Sequence, residues 1–164
     1  MKSLLLLLAF LLFSKLLTAQ EEDNDRNWGL GASFQGTQLD ITIPIWITET
    51  SILSPTVMGI YVEDAGYDIG FGIGYKSYLK SSKVSPYFSP KAGVFINNPD
   101  KGKSLVDLYF GLGIGADYFF DPKFCIGVEA QLNGTKSDKM SARFGNPGGI
   151  NLNTAAALNA IIYF

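Results

Sequence analysis

Few residues in this chain could do chemistry. There is no histidine among the 164 residues, which removes the commonest general base and the commonest metal ligand. A single thiol, Cys125, permits no internal disulfide and no cysteine-based zinc site. With no imidazole to take its proton, and with Gly127 two residues on, it reads as a reduced and inert side chain. Asp138 and Ser141 could pair a base with a hydroxyl, but the segment around them is rich in Ser, Lys, Asp, Gly and Asn, the composition of a solvated loop. Gly111-Leu112-Gly113-Ile114-Gly115-Ala116 satisfies the G-x-G-x-x-G/A dinucleotide pattern. That motif needs a strand-to-helix turn, and here an extended pattern runs straight through it. No catalytic residue, cofactor or metal is expected. What remains is a set of charges at every second position of alternating segments: Asp68, Lys76, Lys91, Asp107, Asp117 and Glu129.

Composition narrows the class of protein that could position them. Charged residues make up 17% of the chain, below the roughly 25% of soluble domains, so the molecule needs another way to manage water. A pI near 5.0 and the lack of a Lys/Arg stripe exclude the electrostatic footprint of a nucleic-acid binder. The length bounds the chain to one ordinary domain.

The N-terminus reads as an address. Met1-Lys2-Ser3 precedes the apolar run Leu4 to Phe13, then Ser14 to Gln20 and the acidic stretch Glu21 to Asp25. The apolar core is about half the ~20 residues a transmembrane helix needs, and Lys15 ends it. A secretory signal peptide over 1–20, cleaved after Ala19 or Gln20, is expected, followed by an acidic tail over 21–27 and a single domain over 28–164. Removing Lys2 and Lys15 takes the 13 basic groups to 11 against 15 acidic ones, a net charge of minus 4.

From Trp28 onward apolar residues recur with period two between turn clusters, the signature of strands. In 105–120 the even positions carry Val106, Leu108, Phe110, Leu112, Ile114, Tyr118 and Phe120, and the odd ones Asp107, Tyr109, Gly111, Gly113, Gly115 and Asp117. The pattern resumes after Asp121-Pro122-Lys123 with Phe124, Ile126, Val128, Ala130 and Leu132 against Cys125, Gly127, Glu129, Gln131 and Asn133. Eight strands are predicted, over 28–36, 40–48, 52–62, 67–79, 85–97, 105–119, 124–133 and 149–164. Pro44 predicts a bulge or local break in the second. The segment 52–62 is apolar at both parities, and its facing stays open.

A greasy face opposite one of Gly, Asn, Ser and occasional charges suits a narrow barrel with a filled polar lumen and an apolar exterior. From Val106 to Tyr118 a strand rises about 30 Å at ~3.3 Å per residue and ~40° tilt, comparable to the apolar band of outer-membrane barrels. The fold class expected is therefore all-β: a closed, antiparallel, up-and-down transmembrane β-barrel of eight strands. If the chain starts on the periplasmic side, the connections 49–51, 80–84 and 120–123 lie there, and 37–39, 63–66, 98–104 and 134–148 lie outside. The two longest fall outside, as in such barrels. Trp28, Tyr75, Phe119, Phe120, Phe124 and Phe164 are candidates for one interfacial aromatic girdle, and Phe34, Tyr61 and Tyr67 for the other. Asn133-Gly134-Thr135 matches a glycosylation sequon on an expected outer loop, with little weight.

The glycine-alternating runs Gly70 to Gly74 and Gly111 to Gly115, the turn Asp121-Pro122-Lys123 and a terminal strand ending at Phe164 resemble the small eight-stranded outer-membrane β-barrel family of the OmpA-barrel and OmpX kind. The resemblance covers the whole mature chain. It implies that Leu158, Ala160, Ile162 and Phe164 form the signal read by the outer-membrane assembly machinery, with Ile162 standing where tyrosine is often found. It also implies the outer membrane of a Gram-negative-type bacterium, with membrane lipid as a partner. Buried charge must be paired, so Lys76, Lys91, Asp117 and Glu129 are expected to form one lumen ion-pair network that fills the bore. The expected function is non-enzymatic: a structural or surface-interaction role through loops 98–104 and 134–148, whose partner the sequence does not name. The alternatives are a narrow porin-like channel for small solutes or hydrophobic molecules, and a soluble periplasmic ligand-binding β-barrel.

Overall fold

In a computed structural model, residues 27–62, 66–98, 103–141 and 144–164 are described; the expected signal peptide and all but the end of the acidic tail lie outside these residues. The strands among them are β1 (Gly29–Gln35), β2 (Gln38–Thr42), β3 (Ile45–Thr48), β4 (Ser51–Val62), β5 (Gly66–Tyr78), β6 (Val84–Asn98), β7 (Leu105–Asp121), β8 (Phe124–Lys136) and β9 (Ile150–Tyr163). Neighbours in sequence pair antiparallel from β4 through β9. β9 returns to β1 from Gly29↔Tyr163 to Phe34↔Leu158, and β2 pairs with both β1 and β4. The sheet is a closed up-and-down barrel of eight staves, because β2 and β3 are two halves of one strand.

Pro44 separates those halves, as its chemistry requires. Its carbonyl accepts the Gly29 N–H at 2.8 Å, but its ring nitrogen has no proton to return across the same seam. Ile43 still donates to the Pro55 carbonyl at 2.9 Å, and Trp46 to the Asn27 carbonyl at 3.0 Å, so the stave loses a bond without losing its facing. Thr42, Pro44 and Trp46 face inward, while Ile41, Ile43, Ile45 and Ile47 face out. The turn from β1 to β2 is a two-residue hairpin in which Gly36 supplies a φ of 57°, a conformation that favours glycine.

Elsewhere alternation and facing agree. On β7 and β8, Val106, Leu108, Leu112, Ile114, Val128 and Leu132 are exposed on the exterior, and Asp107, Asp117, Glu129 and Gln131 are buried within. The open facing of 52–62 is decided by its neighbours. Ile52 sits opposite Lys76 and Met58 opposite Gly70, and partners across a ladder share a face, so Ile52 and Met58 are buried inside while Val57 is exposed outside. Two expectations are corrected here. β8 continues to Lys136, so Asn133 and Thr135 of the sequon are buried lumen residues rather than loop residues. Phe119, expected in the lipid-facing aromatic girdle on the periplasmic side, shares the inward parity of Asp117 and packs against the buried cluster at one mouth. Of the other proposed girdle residues, the Tyr61 side chain lies outside the described set.

Glycine on the inward face is set by proximity. At Gly93 a Cβ would overlap the Phe71 carbonyl oxygen and press on the Gly72 Cα, backbone atoms that cannot step aside. At Gly59, on the exterior face of β4 with Val57, nothing lies closer than 3.9 Å. Gly93→Ala is therefore expected to lower unfolding stability in detergent by about 1–3 kcal/mol, and Gly59→Ala to leave it within about 0.5 kcal/mol, as read by the midpoint of denaturant-induced loss of β-sheet circular dichroism.

Candidate functional site: the filled lumen and its two mouths

The polar face of the barrel closes on itself in layers. At the mouth where Asn27 and Phe164 lie, Trp46, Tyr78, Phe119 and Tyr163 form an aromatic cluster, with ring centroids 5.5 Å apart for Trp46–Tyr78 and 5.6 Å for Trp46–Tyr163. Ile52, Cys125 and Ile161 pack under it. Cys125 is fully buried there, facing the lumen as its parity requires.

Above this cluster, Lys76 Nζ lies 2.7 Å from Asp117 Oδ2, and the Tyr78 hydroxyl donates to the same oxygen at 2.6 Å. Lys76 also sits 4.0 Å from the centroid of the Tyr87 ring, a cation–π geometry. One layer further, Lys91 Nζ lies 2.7 Å from Glu129 Oε1. Gln131 donates to that oxygen at 2.8 Å, Asn133 donates to Gln131 at 3.0 Å, and the Tyr109 hydroxyl donates to Asn133 at 3.3 Å. Asp40, bonded by Gln38 at 2.7 Å, faces the same space.

Lys76, Lys91, Asp117 and Glu129, expected to form one network, thus meet as two pairs, Lys76–Asp117 and Lys91–Glu129. Asp117 is in register with Gly127, two residues along β8 from Glu129, so the pairs occupy different heights with Tyr87 between them. Glycines make the room. A Cβ on Gly113 would overlap the Glu129 carboxylate, one on Gly127 the Asp117 carboxylate, and one on Gly115 the Tyr87 ring. The glycine-rich polar face is therefore the complement of these side chains. Tyr87 and Asp40 were not singled out, although both stand at the inward parity of their strands.

At the opposite mouth, described residues of the long connection between β8 and β9 are tied to the inner face of the barrel. Asp107, fully buried, accepts from the Asp138 backbone N–H at 2.6 Å, from the Ser141 hydroxyl at 2.8 Å and from the Asn97 amide. Phe144 packs on Phe95 with centroids 6.0 Å apart, and Asn151 donates to the Phe144 carbonyl. The expectation of a solvated loop around Asp138 and Ser141 is corrected for Ser141, which is buried as an anchor of the loop on Asp107. A buried carboxylate draws N–H and O–H donors from whichever segment can reach it, and loop composition does not show what lies beneath.

Comparison with known proteins finds the same architecture. No protein family matches the chain by sequence, and no curated protein matches it at a significant level. Among solved structures, the N-terminal β-barrel domain of Pseudomonas aeruginosa OprF superposes with a TM-score of 0.59 at 15% identity, covering 84% of this chain and 95% of that one. Neisserial surface protein A (NspA) superposes at 0.58 with 12% identity, covering 84% and 93%. The chain has the fold of a small outer-membrane barrel. At these identities the likeness is one of architecture, and the lumen chemistry above is read from this chain's own residues.

Truncating one partner of a buried pair strands the other. Glu129→Ala is expected to cost roughly 3 kcal/mol of unfolding stability, and adding Lys91→Met in the same chain to restore most of it, measured by denaturant unfolding of the detergent-solubilised barrel. Asp107→Ala is expected to release the loop, so that trypsin cuts after Lys136 or Lys139 faster than in the parent while the β-sheet circular dichroism is kept.

Proposed function

We propose that this protein is a non-enzymatic integral β-barrel of the outer membrane of a Gram-negative-type bacterium, whose role is structural or interactive at its loop end. The observation that carries this reading is the filled lumen: two ion pairs stacked between an aromatic mouth and one at which a loop is anchored on Asp107. Such a bore supports the body of a scaffold better than a pore.

The exterior argues for lipid. Exposed Leu, Ile, Val and Phe side chains line all the staves, and an apolar surface of that extent in water would drive association. A soluble ligand-binding barrel with a greasy core would need the opposite facing. In this reading the aromatic mouth is periplasmic and the loop mouth is outside. The exterior placement of Leu158 and Ile162, and the contact of Phe164 with Trp28 at 4.7 Å, suit a C-terminal strand offered to the assembly machinery from the lipid side. The signal peptide belongs to the same proposal. Outside, Lys139 and Met140 project from the anchored loop, Met140 being 76% exposed, so an interaction partner would meet them first.

Reconstituted into a planar bilayer, the purified protein is expected to show no steady single-channel conductance; a reproducible conductance step would replace this reading with the narrow-channel alternative. In intact cells, Met140→Cys is expected to react with a membrane-impermeant maleimide, whereas the parent chain, its Cys125 fully buried, stays unlabelled. Recovery of the protein in the outer-membrane fraction, with a gel mobility that changes on boiling, is the accompanying expectation.

A further inference from the structure

The described part of the chain starts at the rim of the aromatic mouth. Asn27 donates its N–H to the Phe164 carbonyl at 3.3 Å and accepts the Trp46 N–H at 3.0 Å, so the residues before it depart from the rim beside Trp46. The same rim surrounds an open hollow of about 370 Å³. Trp46, Tyr78 and Phe119 line it from the staves, Ser81 and Lys83 from the connection between β5 and β6, and Asp121 from the turn between β7 and β8. The aromatic cluster is its floor, and the two connections are its walls.

Charge is unevenly placed around this hollow. The connection Lys80-Ser81-Ser82-Lys83 carries two exposed lysines and no acid, and neither lysine has an ion-pair partner among the described residues. Glu49 and Asp121 also stand at this end, but Asp121 turns its Oδ1 to the Lys123 N–H at 2.7 Å. The segment that leaves from Asn27 has the opposite sign: Glu21, Glu22, Asp23 and Asp25 stand against one base, Arg26. From Asn27 back to Glu21 the chain can extend about 20 Å. Eight strands ~4.8 Å apart at ~40° tilt make a mouth about 16 Å across, so the acids can reach lysines on its far side.

We propose that the acidic segment 21–25 docks across the aromatic mouth with its carboxylates on Lys80 and Lys83, and covers the hollow. The proposal rests on the export reading above, in which cleavage after Ala19 or Gln20 leaves this segment at the start of the mature chain. Exposed charge pairs are individually weak. Tethering at Asn27 offsets that weakness, because a short linker holds two partners at about millimolar effective concentration. The acidic segment of a second copy has no such tether, which favours the chain's own segment as the occupant. Docking shields Trp46 and makes access to this mouth depend on ionic strength.

The test uses protein expressed from the full chain and recovered from membranes in detergent, with its intact mass recording whether residues 1–20 are gone. A mass that retains them counts against the export reading alone, because the cross-links decide docking in either form. The probe is a water-soluble carbodiimide, which joins a carboxylate to a lysine amine in direct contact. It is applied to a mixture of isotopically light and heavy protein, and linked peptides are mapped by mass spectrometry. Links from 21–25 to Lys80 or Lys83 are expected within one chain, falling about fivefold at ~1 M salt, where the screening length is ~3 Å. In a Trp28→Phe background, which leaves Trp46 as the single tryptophan, Lys80→Gln with Lys83→Gln is expected to raise acrylamide quenching to the level that high salt gives with both lysines present, with an unchanged heat-dependent mobility shift. Links found only between light and heavy chains would assign the lysines to a second copy and overturn the proposal. So would the absence of links from 21–25 to either lysine, equal links to Lys136 and Lys139, or Trp46 quenching indifferent to salt and to the double substitution.

Discussion

Closure of an eight-stave sheet is the constraint on which the rest of this molecule depends. A barrel of this size is only just wide enough for side chains to fill, so inward side chains from different staves come close and the buried acids are paired. That explains both halves of the polar face. Acids and lysines meet at close range, as in Lys76–Asp117 and Lys91–Glu129. Glycines stand where a carboxylate or a tyrosine needs space, as Gly113 does for Glu129 and Gly115 for Tyr87. Charge compensation and small-against-large packing are two consequences of one geometry.

The two ends solve the same problem with different chemistry. Where the strands join by short turns, inward aromatics from four staves stack over the bore, and no loop is needed to cover it. Where the connections are long, the strands supply a buried carboxylate, Asp107, and the loop supplies the donors. The first seal is built into the staves. The second depends on hydrogen bonds between the buried Asp107 of a stave and described residues of the loop.

Closure also gives proline a local meaning. In a sheet without free edges a missing N–H always falls on an internal seam, and the rest of that seam must hold. At Pro44 the loss is spread: Gly29, Ile43 and Trp46 keep donating around it, and the stave holds its line. Along β6, Pro86 and Pro90 turn the same edge to β5, and there the ladder skips two residues. Two prolines on one edge concentrate the deficit that one proline leaves isolated.

The sequence by itself determined the strands, their number and, for most, which face is apolar, because a period of two ties facing directly to residue order. The alternation of 105–120 and 124–133 places Asp117 and Glu129 inside and Ile114 and Val128 outside with no help from tertiary structure. It also showed that Pro44 must interrupt a stave. Tertiary structure decided what periodicity cannot express. The segment 52–62, apolar at both parities, took its facing from the ladder with β5. Phe119 turned inward by parity although its type suited a girdle, and Ser141 left its solvated setting because Asp107 lay buried within its reach. Which lysine meets which acid depended on strand stagger around a closed sheet, a property of register between strands distant in sequence. Residue order states the face of each side chain, and only closure states its neighbours.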